Sequence, residues 1–184
     1  MKKPIYDKHY KENNYFGEAY PKLIKYFKKY EPKGKILDLG CGQGRDAVSL
    51  AKMGFEIHGV DISSVGINQL LAHAKKEQLN ITTEVADIYS YKIDQSIDIV
   101  FMDSMLHFYK QDFEKESGLV KRLLHELKSG GVLCNLIINS KKTVSTLKKV
   151  IDESGIKYEI LHEEIVEYPE FQSTYHMCLI KKVS

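Results

Sequence analysis

The stretch from Lys35 to Asp46 constrains this chain most. A short apolar segment, Ile36-Leu37-Asp38-Leu39, runs into glycines at 40, 42 and 44, and then directly into a helical pattern carried by Ala47, Leu50 and Ala51. A strand that stops in a glycine turn and continues as a helix opens a β-α-β unit, whose next strand lies parallel to the first. The same alternation continues down the chain. Runs at Lys35 to Leu39, Phe55 to Val60, Ile81 to Ala86, Ile97 to Met102 and Val132 to Ile138 predict five strands, each short and nearly all apolar, as buried parallel strands are. Between them, Ile67, Leu70, Leu71 and Ala74, and then Leu119, Val120, Leu123, Leu124 and Leu127, recur at helical spacing. With the helix after the glycine turn, these predict three crossover helices and an α/β sheet.

The ends of these elements have chemical causes. Ser63 and Ser64 can cap the second helix, and Gly130-Gly131 and Gly155 fall where helices stop in a left-handed residue. A further helix is expected from Thr143 to Ser154, then two strands, Lys157 to Val166 and Ser173 to Lys182, joined as a hairpin by a turn around Pro169. Ahead of the sheet, Tyr20, Leu23, Ile24 and Phe27 mark an amphipathic helix ended by Pro32 and Gly34. The chain of 184 residues suits one domain, with residues 1–34 as an N-terminal lid segment and 35–184 as the core.

Function classes can be excluded on charge and spacing. A net charge of +2, with lysines spread over every helix, argues against a nucleic-acid track. The apolar runs are strand-sized, far short of the roughly 20 residues a membrane span needs. The charged start leads into a tyrosine-rich stretch instead of a signal core, so a cytoplasmic location is expected. Cys41, Cys134 and Cys178 are widely spaced, with no Cys-x-x-Cys and no histidine at ligand spacing, so reduced thiols and no metal are expected. Oligomeric state is not legible.

Three acids turn the glycine loop into a candidate cofactor site. Gly40, Gly42 and Gly44 let backbone turn tightly and approach a ligand, and the amides at the next helix start favour a negative group. In a dinucleotide fingerprint the third glycine would fall on Arg45, a large residue. Asp38 would repel a pyrophosphate and suits a ligand carrying an ammonium and a sulfonium. Asp61 ends the second strand, where a carboxylate can accept both hydroxyls of a ribose, followed by Ile62. Asp87 follows the third strand, where it can take an adenine amino group while the Ile88 amide donates to the ring. Taken singly, Asp61 and Asp87 also fit as caps of the helix or turn they precede.

These residues resemble the class I S-adenosylmethionine methyltransferases, whose first motif is an acid-x-Gly-x-Gly-x-Gly turn, matched by Asp38 to Gly44. The resemblance covers most of the chain: Asp61 stands for the acid ending the second strand, Asp87 for the adenine-binding acid, Asp98 to His107 for the fourth-strand motif and Gly130-Gly131 for the lead into the fifth strand. Within the class, Gly40-Cys41-Gly42-Gln43-Gly44-Arg45-Asp46 is similar to the tellurite-resistance and thiopurine-type branch, which acts on small molecules. That branch carries a longer insertion after the fifth strand and a Leu-His-Arg element; here Asn139 to Lys142 is short and Leu161-His162 is followed by Glu163, so neither of the branch's two activities is carried over.

The resemblance implies a Rossmann-like, seven-stranded, mostly parallel sheet with helices on both faces and an antiparallel last strand, Ser173 to Lys182. It implies S-adenosyl-L-methionine as cofactor, S-adenosyl-L-homocysteine as product, and a small-molecule acceptor methylated by in-line displacement, which needs chiefly a nucleophile held behind the methyl group. Cofactor contacts are expected from Tyr15, Asp38, Gly40, Cys41, Gly42, Gly44, Arg45, Asp61, Ile62, Asp87, Ile88, Asp103 and Ser104. Asp103 and Ser104 are assigned to the methionine ammonium. His107 is a candidate base, with a histidine merely hydrogen-bonded under its loop as the alternative. Tyr6, Tyr10, Tyr15 and Phe16 either fold over the cofactor, Tyr15 donating to the methionine carboxylate, or pack as an ordinary aromatic leader. Two other functions stay open: a non-catalytic domain that binds the cofactor for regulation, and a nicotinamide-dependent reductase.

Overall fold

The computed structural model describes residues 5–12 and 14–183. In chain order the strands are β1 (Lys35–Leu39), β2 (Glu56–Asp61), β3 (Ile81–Val85), β4 (Ile99–Asp103), β5 (Val132–Ile138), β6 (Tyr158–Tyr168) and β7 (Ser173–Lys182). They form a seven-stranded, mostly parallel sheet in the order β3-β2-β1-β4-β5-β7-β6, with an antiparallel last strand. The contacts divide the chain into two compact units, Met1–Tyr91 and Lys92–Ser184.

In the first unit, a 3-10 helix (Ile5–Lys11) and α1 (Pro21–Lys29) precede β1, and α2 (Arg45–Ala51) and α3 (Ser64–Glu77) link the three strands. The strands are parallel, with Asp38 opposite Gly59 and Asp61 opposite Val85, so Gly40, Asp61-Ile62 and Ala86-Asp87 leave along one edge. The core is continuous with the sequence pattern: Leu23, Phe27, Ile36, Leu37, Leu50, Ile57 and Leu70 are fully buried, and Phe27 meets Phe55 edge-on at 5.6 Å between ring centroids. β2 begins one residue later than its apolar run, because the Phe55 amide donates to Leu50 O at the end of α2. Ser63 caps α3, its hydroxyl accepting from the Gly66 amide at 3.2 Å.

In the second unit, β4 and β5 are parallel, and α4 (Phe113–Glu126) and α5 (Lys141–Asp152) flank β5 in sequence. β4 begins at Ile99, later than the expected Ile97, because the Ile97 amide closes a turn on Asp94 O instead of entering the ladder. α5 starts at Lys141, two residues before the expected Thr143, because Ser140 serves as its cap and accepts from the Thr143 amide at 3.1 Å. β6 and β7 form the expected hairpin around a 3-10 turn at Pro169–Phe171, with a register shift between Ile160 and His162. Gly130 and Gly155 are left-handed, with φ of 77° and 72°. Cys41, Cys134 and Cys178 are all buried and outside any disulfide. No helix among the described residues is long and apolar enough to cross a membrane.

Candidate functional site

The glycine turn is built by β2 as much as by its own residues. Gly40 and Cys41 both donate to Val60 O, at 2.7 and 3.2 Å, which bends the chain sharply off β1. Gly40, Gly42 and Gly44 all have positive φ, of 88°, 50° and 87°. Gly44 is also a packing glycine: a Cβ there would lie 2.2 Å from Leu70 Cδ1, so α2 and α3 approach each other only because the position has no side chain. The close approach expected of a third glycine at position 45 in a dinucleotide fold is thus supplied at position 44. Arg45 is engaged elsewhere, its guanidinium bonded to Asp46 at 2.6 Å and stacked 4.7 Å over the Tyr20 ring.

Asp61 is the electrostatic centre of this edge. It is buried, and its two oxygens accept from the Gly42 amide at 2.9 Å and the Ser63 amide at 2.7 Å. Burial raises its pKa from the ordinary aspartate value; the amides of Ser63, Gly42 and Ile62 oppose the rise and the neighbouring Asp7 adds to it. Two carboxylate oxygens offer about four acceptor sites, so the backbone amides leave room for a hydroxyl donor. Asp38 is also buried, and it acts with Asp61 on the Cys41 thiol, whose pKa burial pushes well up and the two carboxylates push further. That thiol stays protonated and serves as packing, not as a nucleophile.

At the end of β3, the Ala86 amide donates to Asp61 O, tying the two strand ends together. Asp87 is exposed, with one oxygen accepting from the Tyr89 amide at 3.0 Å in a side-chain turn, and Ile88 is buried. Ile62 is 56% exposed, an unusual state for an isoleucine directly after a buried strand, and it offers an apolar wall beside Asp61.

The N-terminal segment lies on this turn, and its contacts were not legible in the sequence. Tyr10, not Tyr15, is the buried aromatic: its hydroxyl lies 2.5 Å from where a Cβ on Gly42 would be, and its ring 3.0 Å from one on Gly66. Tyr15 uses its amide to donate to Gln43 Oε1 at 3.1 Å, and its ring packs on His9 and Phe16. Asp7 accepts from the Ser63 hydroxyl at 2.5 Å. The Tyr6 side chain lies outside the described residues.

The second unit holds the remaining candidates. Ser104 has a left-handed backbone, φ 58°, its amide donating to Leu136 O and its hydroxyl to Asp103 at 3.1 Å. His107 is exposed and stacks on Tyr109 with centroids 5.4 Å apart, which differs from a histidine bonded under its loop. A residue the sequence reading missed, Glu116 on α4, holds this stretch: it is 3% exposed and accepts from the amides of His107 at 2.9 Å and Phe108 at 2.5 Å. Its only sequence signal is an acid on the apolar side of a helical pattern.

Comparison with known proteins agrees with this geometry. The family model of tellurite resistance protein TehB matches residues 2–170. A curated relative from Haemophilus influenzae, the probable S-adenosyl-L-methionine-dependent methyltransferase TehB, is 31% identical over 109 residues, covering 59% of this chain and 37% of the relative. A ubiquinone biosynthesis O-methyltransferase of Coxiella burnetii is 35% identical over 109 residues, 58% of this chain and 45% of that protein. The chain therefore spans less than half the length of these relatives. Among solved structures, the N-methyltransferase NodS of Bradyrhizobium japonicum, in complex with S-adenosyl-L-homocysteine, superposes with a TM-score of 0.79 at 11% identity, over 97% of this chain and 96% of that one. TehB of Haemophilus influenzae superposes with a TM-score of 0.70 at 20% identity, over 92% and 66%. At these identities the structures speak for the Rossmann-like methyltransferase fold. With the match running from residue 2 to 170, the chain belongs to the TehB family.

Proposed function

We propose that this chain is an S-adenosyl-L-methionine-dependent methyltransferase that passes the methyl group to a small-molecule acceptor. The observation that carries the reading is the junction of the glycine turn with Asp61: a buried carboxylate, fixed by the Gly42 and Ser63 amides, at the rim of a turn whose three glycines all have positive φ. In this reading Asp61 accepts the ribose hydroxyls, Ile62 and Ile88 give the adenine its apolar walls, and Asp87 with the Ile88 amide takes the adenine edge. Asp38 supplies negative charge toward the methionine ammonium. Bound there, the cofactor supplies an activated methyl group on a sulfonium. The chain's own work is then to orient the acceptor and exclude water, with His107, exposed and stacked on Tyr109, as the candidate base. Membership of the TehB family and the names of the relatives support the cofactor.

Titration calorimetry with S-adenosyl-L-homocysteine tests the reading. Wild-type protein is expected to release heat with it, and none with a nicotinamide dinucleotide. Loss of charge-assisted hydrogen bonds in Asp61→Ala is expected to weaken binding by about tenfold or more. No heat from folded wild-type protein sinks the proposal. Binding without product formation over a panel of small acceptors favours a regulatory, non-catalytic role instead.

A further inference from the structure

Gln43 lies between two glycines of the turn, where the backbone needs no particular side chain, yet its amide is almost fully used. Nε2 donates to Glu12 O at 2.8 Å and to Gln69 Oε1 at 2.9 Å, and Oε1 accepts from the Tyr15 amide at 3.1 Å. Gln69, on α3, donates through its own Nε2 to Tyr10 O at 2.8 Å. Two side-chain amides thus hold three backbone groups of the N-terminal segment, at Tyr10, Glu12 and Tyr15. Held there, the segment delivers Tyr10 onto Gly42 and Gly66, and Asp7 onto Ser63 next to Asp61.

The manner of attachment distinguishes this from a leader that merely packs. Tyr10 is the buried anchor, His9, Tyr15 and Phe16 pack half-buried around it, and Lys8, Lys11, Glu12 and Asn14 are exposed. Its backbone, in addition, is fastened by hydrogen bonds from the half-buried side-chain amides of Gln43 and Gln69, which water can replace when they open. One of the two fastening residues belongs to the turn itself, so occupancy of the turn and closure of the strap are coupled, and the coupling is reciprocal.

We infer that Gln43, seconded by Gln69, is a positioning residue that fastens the strap carrying Asp7, Tyr10 and Tyr15 over the glycine turn, so that a ligand on the turn is enclosed and leaves only when these amide bonds open. The inference rests on the proposal that the adenosine cofactor lies on this turn. Gln43 holds backbone of the strap and is assigned no contact with the reacting atoms.

The test compares wild type with Gln43→Ala and Gln69→Ala, using S-adenosyl-L-homocysteine as probe. Surface plasmon resonance reads its dissociation rate, and limited trypsin digestion reads cleavage after Lys8 and Lys11. Gln43→Ala is expected to raise the dissociation rate by about tenfold or more, with a melting temperature near that of wild type and faster strap cleavage with and without ligand. Gln69→Ala removes the Tyr10 fastening and one bond of Gln43, and is expected to act in the same direction with a smaller effect. Wild-type dissociation and cleavage rates in both variants overturn the inference, as does tighter binding in either, which would make the strap a competitor of the ligand. If wild type does not bind the probe, the proposed function fails; unchanged strap cleavage in the ligand-free variants then removes the clamp as well.

Discussion

Replacing Gly44 by alanine asks two things of the protein at once. Its φ of 87° places an L-residue in the left-handed region, which costs about 1–2 kcal/mol. The new Cβ also falls 2.2 Å from Leu70 Cδ1, 3.0 Å from Cγ and 3.2 Å from Cδ2, and Leu70 is fully buried, so the leucine must move by more than an ångström among packed neighbours. Overpacking of this kind costs about 1–3 kcal/mol more. Gly130 provides the control, with φ of 77° and nothing within 4 Å of its would-be Cβ, so Gly130→Ala meets the backbone cost alone. Thermal denaturation followed by circular dichroism measures both. For a chain of this size 1 kcal/mol moves Tm by roughly 2–4 °C, so Gly44→Ala should melt roughly 2–12 °C below Gly130→Ala. A double-mutant cycle sharpens the result: adding Leu70→Ala to Gly44→Ala should destabilise less than the two changes summed, because the clash partner is gone. Equal melting temperatures for the two alanine variants, together with simple additivity in the cycle, would refute the packing role assigned to Gly44.

Two further perturbations probe the site. Glu116→Ala leaves the His107 and Phe108 amides without their buried acceptor and should speed their hydrogen exchange, at a cost of about 1.5–3 kcal/mol for each bond to the charged group, while Glu116→Gln keeps an acceptor oxygen and should cost less; unchanged protection of both amides in the alanine variant would count against this role. Asp61 has a carboxyl pKa raised first by burial and also by Asp7, so its contribution to stability is fully present below the unfolded carboxylate value and is lost as pH rises through the raised folded value. Asp7→Asn should lower the Asp61 pKa, seen by carbon-detected NMR titration, and make the fold more stable at neutral pH relative to acid; a pKa that stays put or rises contradicts the assigned charge contact.

The strand-turn-helix opening, the alternation that follows it and the closing hairpin were legible in the residues because each depends on local periodicity and on glycine or serine at an element's end. β1, β5 and β7 occupy the runs expected of them to the residue. The edges that slipped did so for hydrogen bonds invisible in a pattern: Phe55 is as apolar as Ile57 and Val60, but its amide is claimed by α2, and Ile97 is buried while closing a turn. The placement of Asp61 beside the glycine turn followed from parallel strands of similar length, whose ends must share an edge. Nothing local marked Tyr10 over Tyr15, Gln43 over Arg45, or Glu116 as the residue holding the loop after β4. These are pairings between residues from 8 to 59 positions apart, made by polar side chains whose composition is that of any solvated surface. A sequence determines which segments can be strands, turns and helices because that is decided by backbone preference and burial within a few residues; which tyrosine covers the turn and which amide fastens it was decided only when distant backbone groups met in three dimensions.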